Sequence, residues 1–422
     1  MKSSFWIAPF ARCRRNKIVA LAVLPLGMIM GTVSVMGQAV ISPPPAVANT
    51  PPAFPQPAPS DSTPPNPSAA GSPFQWGFVT AHPHFSYRFL YGDGLQATPG
   101  QQTKTSINTI SLGILFNIGT HWTVDYTPTQ TYYSSVAFKD TLDHSVRILG
   151  ATSYDNWSFQ LSQAFTTSSA PLIETGRQTN EDDYSTHATL GYHFNDRVQA
   201  DTNLSYQVRN TTIFPDSRET TVGERLHYQF LPRTDTSIGL DYGSINMSSG
   251  TDMSYTRPTA QLNWKASDKT TFNLQAGLEH RTFRDSGASS LNSPTFSAGL
   301  QFQPFPTTSI GLSANRDVTV AYFTNQITRN TGWQLNVQQR LLQHYYLSAG
   351  YSGGKSTYLS TDPALAVAGR DDKNYSFNVR LSTVFFERAN VALIYQNTRN
   401  NSNANGFGFN SSQVGIELGY QF

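Results

Sequence analysis

From Trp76 to Phe422, apolar and polar residues alternate along the chain at a period of two, which puts the two sets on opposite faces of extended strands. The clearest run is the last. Val414, Ile416, Leu418, Tyr420 and Phe422 share one face, and Gln413, Gly415, Glu417, Gly419 and Gln421 share the other. The pattern recurs in residues 184–194, 198–208, 272–278, 333–341, 345–351, 375–385 and 391–395. The longer runs span about ten residues, which suits a tilted strand crossing a bilayer better than the ~5–6 residues of a soluble sheet.

Two kinds of punctuation alternate between these runs. Short turns centre near Gly119, Asp155, Asp196, Arg233, Asp268, Pro306, Gln343 and Glu387, and long polar loops fall between them, the largest at 92–103, 166–182, 284–294, 353–374 and 397–412. Eight short turns and nine long loops predict an all-β chain: a single closed antiparallel transmembrane barrel of about eighteen strands, with short periplasmic turns and long extracellular loops. Trp122, Trp157, Phe194, Phe230, Trp264, Phe272, Phe302, Tyr345, Phe385 and Phe422 stand beside the short turns, where a membrane-interface girdle belongs. Glu224 falls on the apolar side by parity, so a bulge or register change is expected at 222–225.

The segment ahead of residue 76 is different. Lys2, Arg12, Arg14, Arg15 and Lys17 precede an apolar core from Ile18 and a small-residue stretch ending at Ala39, which predicts a signal peptide over 1–39. Residues 40–75 form a proline-rich linker, with twelve of the chain's 25 prolines between Ser42 and Pro73. Such a segment buries no core and reads as a disordered, extended periplasmic spacer; the sharper alternative is a tether that reaches peptidoglycan or an inner-membrane partner. The barrel occupies 76–422.

Composition narrows the function classes. Charged residues make up 13% of the 422, about half the usual share. Five of the 29 basic residues lie in the leader, leaving 24 against 27 acidic ones, so nucleic acid is not an expected partner. Cys13, the only cysteine, is also in the leader, so the mature chain forms no disulfide and no cysteine metal site. No cofactor or metal is expected.

A closed eighteen-strand sheet encloses more space than side chains fill, so a pore follows unless loops obstruct it. Parity assigns its charged lining to Asp125, Arg147, Asp201, Arg209, Arg225, Asp241, Arg257, Lys265, Glu279, Arg281, Arg340, Arg380 and Glu417, eight basic and five acidic. That balance predicts a weak anion preference at low salt, against the alternative of a wall whose charges cancel. His187, His193, His227 and His280 are the only candidates for hydrolytic chemistry. No local motif supports them, and the chain is not expected to be an enzyme. The acidic runs Glu181-Asp182-Asp183 and Asp371-Asp372 read as solvated loop ends.

The last ten residues resemble the targeting signal of outer-membrane barrels, carried by Gln413, Gly415, Leu418, Tyr420 and the terminal Phe422; the resemblance implies recognition by the barrel-assembly machinery. The acidic loop Arg370-Asp371-Asp372-Lys373-Asn374, the Tyr-Ser-Phe strand that follows it and the final Gly-Tyr-Gln-Phe are similar to the beta-barrel porin 2 family. That resemblance implies outer-membrane barrel architecture, and some members are linked to exopolysaccharide export. Together these features lead to the expectation of a passive channel for small polar solutes, with outer-membrane lipid and lipopolysaccharide around it. The runner-up is a non-conducting barrel that serves as an anchor or export component.

Overall fold

The computed structural model describes residues 74–422 apart from 285, 343, 363–368 and 386–387. The signal peptide and nearly all of the proline-rich linker lie outside the described residues. The linker's last two residues, Phe74 and Gln75, join Trp76 in a short strand.

Among the described residues eighteen long strands follow one another: β1 (Val79–Thr98), β2 (Gln101–Ile118), β3 (Trp122–Tyr133), β4 (Thr141–Tyr154), β5 (Trp157–Ser168), β6 (Glu181–Asn195), β7 (Val198–Thr211), β8 (Ser217–Leu231) and β9 (Thr234–Met247). The second half holds β10 (Met253–Ser267), β11 (Thr270–Phe283), β12 (Leu291–Phe305), β13 (Thr308–Val320), β14 (Gln326–Leu341), β15 (Tyr345–Ser360), β16 (Asp371–Phe385), β17 (Ala389–Ser402) and β18 (Phe409–Gln421). Each pairs antiparallel with its sequence neighbours. β18 returns to β1, with His84 opposite Gln421 and Asp93 opposite Ser412, which closes the sheet. The terminal Phe422 N–H donates to the Pro83 carbonyl at 3.0 Å and completes that seam.

The faces sort as the period of two requires. On β9, Ile238, Leu240 and Tyr242 are 66%, 51% and 55% exposed, and no second protein layer covers them among the described residues. Ser237 and Asp241, on the alternate face, are turned inward, where Asp241 meets Arg257. Two aromatic belts bound the apolar outer face. Near the short turns, Trp157 packs on Tyr192, Tyr192 on Phe194, Trp264 on Phe272 and Tyr420 on Phe422. Toward the loops, Phe165 stacks on Tyr184 and Trp333 meets Tyr351. Tyr184 and Phe194 stand ten residues apart on β6, ~34 Å along the strand and about 26 Å in height at a tilt of ~40°, the height of a membrane's apolar band. An even strand number, closure and belts of this spacing are the construction of a bacterial outer-membrane barrel, and that membrane is where the chain resides.

The turns fall where they are predicted, Gln343 and Glu387 lying outside the described residues. Among the two-residue turns is Asp155 and Asn156 between paired Tyr154 and Trp157, with Asp155 at φ +52°, the left-handed backbone such a hairpin turn needs. Three expectations need correction. Residues 92–103 are not a loop: β1 and β2 run through them and turn at Pro99 and Gly100. More generally, strands extend into the predicted loops, reaching 12–20 residues, because polar side chains that water solvates are no obstacle to a ladder above the membrane. Finally, β8 pairs with β7 and β9 in unbroken register through 222–225. Glu224 stays on the outer face without a bulge, and the Thr202 hydroxyl donates to its carboxylate at 2.8 Å.

At the loop end the wall parts. β13 pairs with β12 only from Phe305 opposite Thr308 up to Phe296 opposite Arg316, but continues with β14 to Val320 opposite Ile327. The free tip leans inward, and Val318, Val320 and Ile327 pack on Ile245, Met253 and Tyr255 in an apolar cluster inside the barrel.

Candidate solute channel

The thirteen sequence-assigned charges sit on the strands' inner parity. Asp125 and Arg147 face each other across β3 and β4. The densest group lies on β9–β11, where Arg257 is 3.2 Å from Asp241 and 3.6 Å from Glu279, and Arg281 meets Glu279 at 2.8 Å. Glu279 and Arg281 are 1% and 2% exposed because the β13 tip covers them, and Arg281 Nη2 also donates to the Val318 carbonyl. On the opposite wall Arg380 pairs with Glu417 at 2.8 Å. Arg225 donates to neutral Gln261, Arg209 to the Ala321 carbonyl, and Arg340 lies over the Tyr346 ring. Lys265 differs: 54% exposed, it sits at the short-turn rim, 3.3 Å from Asp268.

Asp201 belongs to a separate group. His227 lies between it and Asp235, with 3.1 Å from each ring nitrogen to a carboxylate. His187 and His193 are on β6, and His280 is on the outer face, hydrogen-bonded to Asn292. The four histidines are thus dispersed rather than gathered into one site.

The loop end holds what the pattern did not predict. Residues 171–179, between β5 and β6, contain a two-rung ladder of Pro171–Leu172 with Arg177–Gln178 and are mostly buried. Glu174 at their centre is 3% exposed. Its carboxylate accepts the Tyr322 N–H at 2.8 Å, and its carbonyl accepts Arg370 Nη1 at 2.7 Å. Tyr322 lies between β13 and β14 and Arg370 precedes β16, so loops from opposite sides of the ring meet over the mouth. The Tyr322 hydroxyl donates to Glu181, Arg209 stacks on the Tyr322 ring at 4.2 Å, and Arg370 stacks on Phe407 at 3.7 Å. Gln96, fully buried, donates to the Gly406 and Gly408 carbonyls.

Burial pushes the Glu174 carboxyl up to about 7, against the opposing pull of the Tyr322 N–H, Arg209 and Arg370. Burial likewise drives the Tyr322 hydroxyl above its usual range. This layer corrects the reading of the acidic runs. Glu181 and Asp372 are buried, not solvated, because inward parity turns them under the loops, where Tyr322 and Arg370 satisfy them. Sequence reasoning also missed Arg88, an inward β1 residue opposite Glu417 that donates to Gln396. Extending the period of two back through β1 would have found it; nothing local marks Glu174, Tyr322 or Arg370.

The assembly-signal residues all lie on or directly after β18. Gln413 and Gly415 face inward, with Gly415 against the Phe89 carbonyl across the seam; Leu418, Tyr420 and Phe422 face outward.

No family model matches the sequence, including at the stretch that resembles the beta-barrel porin 2 family, and no curated protein matches it. Solved outer-membrane structures align over most of the chain. OpdL of Pseudomonas aeruginosa is 14% identical (TM-score 0.44), over 82% of this chain and 98% of that one. OccK2 (OpdF) of Pseudomonas aeruginosa in complex with glucuronate is 11% identical (TM-score 0.44), over 81% and 98%. OccAB2 of Acinetobacter baumannii is 11% identical (TM-score 0.47), over 82% and 100%.

Proposed function

We propose that this chain is a passive channel for small polar solutes in the bacterial outer membrane. The observation that carries the reading is a closed eighteen-strand wall, apolar outside and lined within by charged and hydrogen-bonding side chains. A sheet of that size encloses an interior wider than its own side chains span. A polar solute entering it exchanges water for arginines, carboxylates and amides, whereas an apolar solute gains nothing comparable.

Eleven of the thirteen inward charges are proposed as the lining; Glu279 and Arg281 lie beneath the β13 tip, out of contact with solvent. Ion pairs at Arg257, Arg281 and Arg380 cancel much of their field, and Arg225 and Arg209, whose hydrogen bonds go to neutral groups, stand opposite Asp201 and Asp183. A weak anion preference at low salt rests on the eight-to-five balance of the assigned charges. A link to exopolysaccharide export rests on the resemblance of residues 370–422 alone, and recognition of β18 by the assembly machinery rests on its terminal pattern. A tethering role for the proline-rich segment rests on composition.

Purified full-length protein in planar bilayers is expected to give steady nanosiemens-scale conductance, with reversal potentials on the anion side in low salt. Cation selectivity would remove the electrostatic part of the reading, and silent bilayers would remove the channel itself. The meeting of Glu174, Tyr322 and Arg370 across the mouth favours one second reading, a non-conducting barrel acting as an anchor or export component. Silence is what that reading expects.

A further inference from the structure

The outer face of β15–β17 stacks aromatic residues below and cations above. Tyr351 is opposite Phe377, Gly353 opposite Tyr375, and Lys355 opposite Lys373; across the next pairing Tyr375 is opposite Arg399 and Lys373 opposite Asn401. Tyr351, Lys355, Lys373, Tyr375, Phe377 and Arg399 are all exposed. The rings belong to the loop-side belt, where Trp333 meets Tyr351 and Phe377 meets Tyr395. Lys373 stands two residues loopward of Tyr375 and Lys355 four loopward of Tyr351, ~7 and ~13 Å along the strands, which is headgroup height.

Like charges directly opposite on paired strands repel, so Lys355 and Lys373 are an unfavourable pair unless an anion joins them. Asp371 lies 3.4 Å from Lys355, but it is shared with the Thr357 hydroxyl and leaves three cations against one carboxylate. Arg399 spends its Nε on Asn401 and keeps the rest of its guanidinium free for a planar acceptor. Two grooves adjoin Arg399: about 340 Å³ lined by Tyr351, Tyr375, Phe377 and Asn397 on the membrane side, and about 520 Å³ lined by Gln102, Asn401 and Asn410 on the loop side.

We propose that this face binds a phosphate-bearing lipid of the outer leaflet, its phosphate among Lys355, Lys373 and Arg399 and an acyl stem along the groove between Tyr351 and Phe377. Charge complementarity and height select that occupant: a neutral lipid leaves three cations against the single carboxylate of Asp371, and a soluble anion leaves the aromatic groove empty. The site rests on the outer-membrane reading.

The test uses the full chain in phosphatidylcholine nanodiscs, with diphosphoryl lipid A or its dephosphorylated form added and retained lipid counted by native mass spectrometry. The wild type is expected to retain the phosphorylated form at least tenfold better. The triple variant K355Q/K373Q/R399Q is expected to lose that preference. K104Q, which removes the cation stacked on Tyr91 at the opening of β2, is expected to keep it. Heat-modifiable migration on gels verifies that each variant is folded. Equal retention of the two lipid forms by the wild type, or an undiminished preference in the folded triple variant, would overturn the site. A wild type that fails to enter nanodiscs at all would overturn the membrane reading, and the site with it.

Discussion

Single side chains carry the costs that this fold tolerates. Glu174 is a buried carboxyl where three loops meet, facing Arg209, Arg370, Asp372, Tyr322 and Tyr358. Its folded value of about 7 exceeds its ordinary 4.5, so the native state holds the proton more tightly than the unfolded chain. The stability linked to this group is therefore complete below pH 4.5 and lost as pH rises to about 7, a change of at most about 3 kcal/mol. Urea unfolding in vesicles between pH 4 and 8 should show the decline, and E174Q should flatten that portion of the profile. Glu224 presents the opposite situation, a carboxylate on the lipid face with a threonine for company. E224L should stabilise the barrel by about 1–2 kcal/mol in the same assay, since lipid-facing acids are costly. Parity alone placed Glu224 correctly on the outer face. The bulge expected to rescue it is absent because Thr202, directly opposite, supplies a donor without disturbing the ladder.

At the scale of strands and hairpins, the two seams behave differently. β1 and β18 meet late in the chain's own order, and their register is close enough that a Cβ at Gly415 would overlap the Phe89 carbonyl. G415V should therefore block closure, seen as loss of the heat-modifiable folded band; normal migration would show that the seam has more room than its backbone spacing implies. β12 and β13 instead part by design of their sequences. Pro294, which has no N–H to offer a ladder, falls in the stretch of β12 that β13 has left, and Val318 and Val320 find apolar partners inside. Alternation revealed the strands and the turns. It overstated the loops, because a polar run reads as loop whether it is solvated coil or a ladder standing above the bilayer.

The whole molecule is a wall with a partial lid. Replacing residues 171–179 by a short Gly-Ser linker should remove the Glu174 contacts with Tyr322 and Arg370 and raise single-channel conductance several-fold; unchanged conductance would locate the constriction deeper, at the β13 tip that covers Arg281 and Glu279. The chain's pattern by itself determined strand number, closure, the two faces and the belt beside the short turns, because lipid outside and water inside act on every second residue and leave a local, periodic trace. The lid, the buried Glu174–Arg370–Tyr322 group and the cations gathered on β15–β17 were decided only by tertiary structure. Their partners lie far apart in sequence or on neighbouring strands whose register no local run specifies, and it is closure of the ring that brings them together.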